Sequence, residues 1–318
     1  MRAWKCTLVL TALVLMAAGF SGCGALVKPL PADRIPAQAG TDKWITANNI
    51  RYHYQEWEND GPALVLIHGF GSSAWTWKDV APVLADRGYH VFAVDLMGFG
   101  FSDKPRDADY SPNSLTAGVN AWMDAVGIAK ATVAGNSLGG FIALRMALEH
   151  ADKVERLVLL DSAGYEHDTP AMVSMTRMPM AEGLANLFWG PWMVRMTLRD
   201  VFYDQSLVTE ERVNAYFDRL RTEGGMHALI RTGRMVKGAF EPWTPRIREI
   251  RQPTLLIWGQ NDPWVPLALG QRFRQDIADS VLAVLPLCGH MPQEEKPRLT
   301  VRLMDDFMRG RPIMDSGS

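Results

Sequence analysis

Cysteine is scarce in this chain, with three residues in 318, at Cys6, Cys23 and Cys288. They supply no disulfide framework. A chain of this length needs neither disulfide nor structural metal to bury a sufficient core. An excess of charge of one sign is also missing. Thirty-five acidic residues oppose 33 basic ones, for a formal net charge of -2, so there is no electrostatic case for nucleic acid as a partner. Internal repeats and low-complexity tracts are absent, which excludes solenoid and array architectures. The uncharged, mostly apolar stretch at residues 7–20 is too short for a comfortable membrane span. What remains, 47% hydrophobic and 21% charged, is the composition of one large α/β domain with an insertion, or of two small domains.

The first residues nevertheless form a pattern. Arg2 and Lys5 make a positive n-region, residues 7–20 an apolar h-region, and Phe20-Ser21-Gly22-Cys23 a small-residue close. This reads as a secretory signal over residues 1–22. Its end resembles a bacterial lipobox, in which cleavage leaves a lipidated N-terminal Cys23, although Phe20 stands where that pattern usually has Leu. The alternative is an ordinary cleaved signal with a spare cysteine. By the same resemblance Gly24, in place of Asp, suits outer-membrane sorting, with the protein facing the periplasm. Residues 23–42, rich in Pro and Ala, then read as a semi-extended tether between lipid and domain. The membrane, through Cys23, is thus an expected partner.

Beyond the tether, strands and helices alternate. Residues 43–57 read as two strands around Asn48-Asn49, with Ile50, Tyr52 and Tyr54 alternating with Arg51, His53 and Gln55. That alternation puts His53 on the solvent side. Short apolar strands are predicted at 63–67, 90–94, 131–134, 154–160, 254–258 and 281–285. Helices are predicted at 75–87, 111–126, 138–150, 267–277 and 297–308, the second opened by Ser111-Pro112 as N-cap and first turn. Continuous apolar strands separated by helices argue for a mostly parallel sheet covered on both faces. In such sheets ligands bind at the carboxyl ends of the strands. Residues 163–241 break the alternation. They are helical in character and rich in Met and Trp, and read as a lid inserted between core segments 43–162 and 242–318. Flexible thioethers suit varied apolar ligands; ordinary packing and a membrane-facing surface are the competing uses.

The stretch Thr132-Val133-Ala134-Gly135-Asn136-Ser137-Leu138-Gly139-Gly140 carries the chemistry. A buried strand, a Gly-x-Ser-x-Gly turn and an apolar helix together are the signature of a nucleophile elbow. The turn exposes the Ser137 hydroxyl, and glycines leave room beside it. Serine needs a base to take its proton. Of seven histidines, His290 alone follows the last predicted strand. A carboxylate must orient that histidine; Asp262, after the strand at 254–258, is preferred over Asp161 at the end of the preceding strand. The order Ser137, Asp262, His290 is that of a Ser-Asp-His hydrolase. The N–H groups of Leu138 and Phe70 are the candidate oxyanion donors. His68 is read as a brace for the Phe70 loop.

LVLIHGFGSS (64–73), VDLMGFGFSD (94–103), AGNSLGG (134–140), LLIWGQNDPWVP (255–266) and CGHMPQEEKP (288–297) together resemble the α/β-hydrolase superfamily, in particular its capped esterases and lipases and its carbon–carbon bond hydrolases. The resemblance implies an eight-stranded sheet and no metal or organic cofactor. Ser137 departs from the Asp nucleophile of epoxide hydrolases and dehalogenases. Gly71-Ser72-Ser73 and Met291 depart from the Gly-Pro-Gly loop and the Trp after histidine that are usual in carbon–carbon hydrolases. The expectation is a serine hydrolase acting on a small ester with an apolar acyl group. Carbon–carbon hydrolysis is the alternative, and a non-catalytic envelope lipoprotein with this fold the third reading.

Overall fold

A computed structural model describes residues 41–168 and 170–316. The expected signal, Cys23 and most of the tether lie outside them. The described chain opens with a hairpin of β1 (Thr41–Ala47) and β2 (Ile50–Trp57). Asn48 and Asn49 both have positive φ, at 50° and 61°, which two-residue hairpin turns require and Asn tolerates. Strands β3 (Ala63–Ile67), β4 (His90–Val94), β5 (Ala131–Asn136), β6 (Val154–Leu160), β7 (Thr254–Gly259) and β8 (Ser280–Leu285) follow. They form an eight-stranded sheet of order β1-β2-β4-β3-β5-β6-β7-β8. The β1–β2 and β2–β4 pairings are antiparallel and the rest parallel.

The helices are α1 (Ala81–Asp86), α2 (Pro112–Val126), α3 (Leu138–Glu149), α4 (Ala171–Met175), α5 (Ala181–Phe188), α6 (Pro191–Val201), α7 (Glu210–Leu220), α8 (Gly225–Val236), α9 (Leu267–Asp276), α10 (Pro292–Glu295) and α11 (Pro297–Met308). Ser111 caps α2 through its hydroxyl, with Pro112 in the first turn, as predicted. The helix expected over 75–87 is instead a 3-10 turn at Ala74–Trp77 followed by α1. Pro82 in the first turn of α1 explains the break, because its ring cannot continue a preceding helix.

Successive residues of the central strands serve two cores. Val65, Ile67 and Val133 join the cluster under α2, α3 and the cap, with Trp122 and Phe141. Leu64, Leu66 and Ala134 join the opposite cluster with Trp77, Leu84 and Met304. The two-residue period thus covers both faces, as a parallel sheet requires. The connection from β6 to β7 carries α4 to α8, the inserted cap. His53, expected in solvent, is buried at 2% exposure. Its Nδ1 lies 2.7 Å from Asp95 Oδ2 and its Nε2 3.3 Å from Asp42 Oδ1. Alternation put His53 on the right strand, but the face opposite Tyr52 is covered by Trp44 and Phe101, which pack on its ring.

Candidate active site

Three loops at the carboxyl ends of the strands converge. The first is the β5–α3 turn. Ser137 has φ 56° and ψ -118°, a strained conformation for a non-glycine residue. Its amide donates to the Leu160 carbonyl at 3.0 Å, and its carbonyl accepts from Ala163 N and Phe141 N at 3.1 Å each. Those bonds hold the strain. The flanking glycines are there for space: a Cβ on Gly135 would lie 2.2 Å from the Gly139 carbonyl oxygen, and one on Gly139 would lie 2.3 Å from that of Ile67. Neither position has room for any side chain. Leu138 opens α3 at this point.

The second loop follows β3. Gly69 passes so close to the elbow that a Cβ there would sit 3.2 Å from the Ser137 Cβ, and the next residue, Phe70, lines the same cavities as Ser137. His68 is fully buried, with Nδ1 2.8 Å from the Gly69 carbonyl and Nε2 accepting from Leu96 N at 3.0 Å. Burial pushes its pKa down, so it is a neutral brace, as expected.

The third group is the candidate acid and base. His290 Nδ1 lies 2.7 Å from Asp262 Oδ2, with both side chains buried. Asp262 Oδ1 accepts from the Trp264 and Val265 amides at 2.7 and 3.0 Å. Asp161, the rival acid, is fully buried and accepts from Gly259 N at 2.9 Å; Asp262 is the carboxylate hydrogen-bonded to His290. Polar atoms of Asp161, Asp262 and His290 all lie within 4.8 Å of one another. That cluster has the donor types of a metal site, but Asp262 and His290 are engaged with each other, and Asp262 Oδ1 and one Asp161 oxygen accept from backbone amides.

Ser137, Phe70 and His290 share an open cavity of about 670 Å³. Its lining is largely apolar, with Met172, Trp189, Val194, Leu198 and Leu229 among the contributors. A second cavity of about 580 Å³ also reaches Ser137, Phe70 and Leu138, and has Glu166, His167 and Lys237 in its lining. Two open spaces therefore meet at the serine.

Several residues escaped sequence reasoning. Asn136 Nδ2 donates to the carbonyls of Leu160 and His290, at 3.2 and 3.1 Å, and so ties the histidine loop to β6. The end of α6 and the segment after it are bonded to the loops that carry Asp262 and His290. Trp264 Nε1 donates to Asp200 at 2.6 Å, His290 N to the Val201 carbonyl at 2.8 Å, and Tyr203 N to Glu295 at 2.8 Å. On the other side of the cap Arg212 pairs with Glu294 at 2.8 Å, where Thr76 also donates at 2.6 Å. No local periodicity marks these residues, because each contact joins distant segments.

The sequence pattern of the Alpha/beta hydrolase family matches residues 64–303. The chain belongs to that family. Among curated relatives, the hydrolase is 33% identical to the uncharacterized hydrolase YugF of Bacillus subtilis, over 83% of this chain and 97% of that protein. It is equally 33% identical to the 2-hydroxymuconate semialdehyde hydrolase of Pseudomonas sp. CF600, over 83% of this chain and 92% of that one. Among solved structures, a membrane phospholipase A described as a bacterial virulence factor aligns with a TM-score of 0.72 at 25% identity, over 98% of this chain and 99% of that one.

Proposed function

We propose that the hydrolase cleaves carboxylic esters through a Ser137–His290–Asp262 triad and an acyl-enzyme. The observation that carries this reading is the Asp262–His290 pair and the strained Ser137 lining one apolar cavity. His290 takes the Ser137 proton, and Ser137 attacks the ester carbonyl. Asp262 holds the Nδ1–H tautomer of the imidazole and stabilises the imidazolium. The amides of Phe70 and Leu138 hold the oxyanion. The alcohol leaves with a proton from His290, and water repeats the cycle. The acyl chain lies in the larger apolar cavity, and the alcohol in the smaller one with Glu166, His167 and Lys237.

Carbon–carbon bond hydrolysis is the second reading, favoured by the relative named for 2-hydroxymuconate semialdehyde. Such a substrate bears a carboxylate, and a charge buried without a partner is costly. Among the described residues lining the larger cavity there is no Lys or Arg, whereas the smaller one has Lys237, so the ester reading leans on the apolar larger cavity and on Met291 in the place after the histidine. The protein is tethered to the bacterial envelope through a lipidated Cys23, a reading supported by the Phe20-Ser21-Gly22-Cys23 close.

The test uses the domain without Cys23, as wild type and Ser137→Ala, against a fluorophosphonate probe and p-nitrophenyl esters from acetate to palmitate. Wild type should label and turn over esters, and Ser137→Ala should lose roughly 10⁶ in turnover. Labelling without ester turnover moves the assignment to a vinylogous diketone. A folded wild type that neither labels nor turns over refutes the mechanism.

A further inference from the structure

A second carboxyl group lies against the acid of the proposed triad, and its environment cannot hold a second negative charge. Asp161 directly follows β6 with φ 42°, left-handed backbone that an aspartate tolerates better than most residues. One carboxyl oxygen accepts from Gly259 N at 2.9 Å. The other, Oδ2, is buried, and no N–H or hydroxyl among the described residues reaches it. Yet Asp161 reaches to within 4.8 Å of both Asp262 and His290. Among the described residues the groups around it supply no fixed cation. Asp262 from the loop after β7 and Glu295 from α10 are acidic, Cys288 from the loop after β8 is a buried thiol, and His290 is already paired with Asp262. Burial, the Asp262 charge and a hydrogen bond to Asp262 all raise the Asp161 pKa. Two carboxyls in contact in a closed space hold one proton between them.

We propose that Asp161 is a positioning residue, a neutral carboxylic acid whose O–H donates to Asp262. The donor occupies the otherwise orphaned Oδ2 and fixes the Asp262 carboxylate against His290. It also spreads the charge of Asp262, so that carboxylate pulls less strongly on the imidazolium that forms on His290 during the reaction. This rests on the triad reading for its kinetic part only. The protonation itself is a property of the folded chain.

The test has two independent readouts. The infrared difference spectrum of wild type minus Asp161→Asn at pH 7 should contain a protonated-carboxyl band. In the pH profile of kcat/KM with a p-nitrophenyl ester, Asp161→Asn should keep the acid limb in place, because its amide still donates to Asp262. Asp161→Leu, similar in volume and without a donor, should move that limb up by about one unit, a tenfold loss on its acid side. An ionised Asp161 would give no band, and both variants would move the limb down, which overturns the proposal. A band with no movement of the limb in a folded Asp161→Leu leaves Asp161 a packing residue and also overturns it. If Asp161→Leu does not fold, Asp161→Ala, which also lacks a donor, takes its place and should move the limb up in the same direction. If wild type turns over no ester, the ester assignment has failed and the infrared band alone judges Asp161.

Discussion

Replacing Gly139 by alanine places a methyl group 2.3 Å from the Ile67 carbonyl oxygen and 2.4 Å from that of His68. Backbone on both sides cannot yield as a flexible side chain could, so Gly139→Ala should cost about 1–3 kcal/mol or more and also displace Ser137. Urea unfolding beside probe labelling checks this; a variant of wild-type stability that still labels contradicts it. Asp262→Asn tests a different effect at the same scale. It keeps the shape of the side chain but removes the charge that orients His290 Nδ1 at 2.7 Å. Turnover should fall by roughly 10⁴ with little change in thermal stability.

At the scale of elements, the cap is held to the core by buried polar contacts as well as by packing. Arg212 on α7 pairs with Glu294 on α10, and Glu294 also accepts from Thr76 and from the Tyr216 hydroxyl. Burial pushes the Glu294 carboxyl up, and Arg212 works against that. Removing one partner of a buried pair is far worse than removing both. Arg212→Met should destabilise by about 3–5 kcal/mol, and Arg212→Met with Glu294→Met should recover a large part of it. The sign with pH follows. With Arg212 gone, the folded-state pKa of Glu294 rises further above its unfolded value, so the single variant should regain stability as pH falls and Glu294 takes up a proton. Denaturant midpoints at pH 5 and pH 7 measure both effects; a single variant no weaker than the double would refute them.

At the scale of the whole molecule, the cluster around His53 ties the opening hairpin to the loop after β4. Asp95 accepts from Ala74 N at 2.6 Å and from Phe101 N at 2.8 Å besides facing His53. Burial lowers the His53 pKa, but Asp95 and Asp42 outweigh it and raise it from 6.5 to about 9. A raised histidine stabilises the fold fully below its unfolded pKa and loses that contribution as pH climbs through its folded one. Stability should therefore drop between about pH 6.5 and pH 9, by on the order of 3 kcal/mol at about 1.4 kcal/mol per unit. His53→Gln should abolish that slope, and unfolding free energies across the range would show it. The proposed anchor belongs at this scale too. In a bacterial host, wild type should partition with membranes, and Cys23→Ser should leave the protein in the soluble fraction with its ester turnover intact. Wild type grown with radiolabelled palmitate should carry the label and Cys23→Ser should not; an unlabelled wild type would refute lipidation as the tether.

Much of this architecture was legible because local physics writes it locally. Apolar runs marked β3, β4 and β6 to the residue, Asn48-Asn49 marked the hairpin, and Gly135 and Gly139 marked the elbow because only glycine fits there. The chain order of Ser137, Asp262 and His290 is likewise a property of sequence alone. What folding decided are contacts between residues far apart in the chain. Asp262, already preferred on sequence, meets His290 28 residues away, while Asp161, directly after β6, accepts from Gly259 instead. His53 is enclosed by Asp95, 42 residues on, where alternation alone pointed it to water. Thr76 finds Glu294 across 218 residues. Each of these depends on which strand lies beside which, and strand order is set by the packing of two cores against one sheet, a quantity no short window of sequence contains.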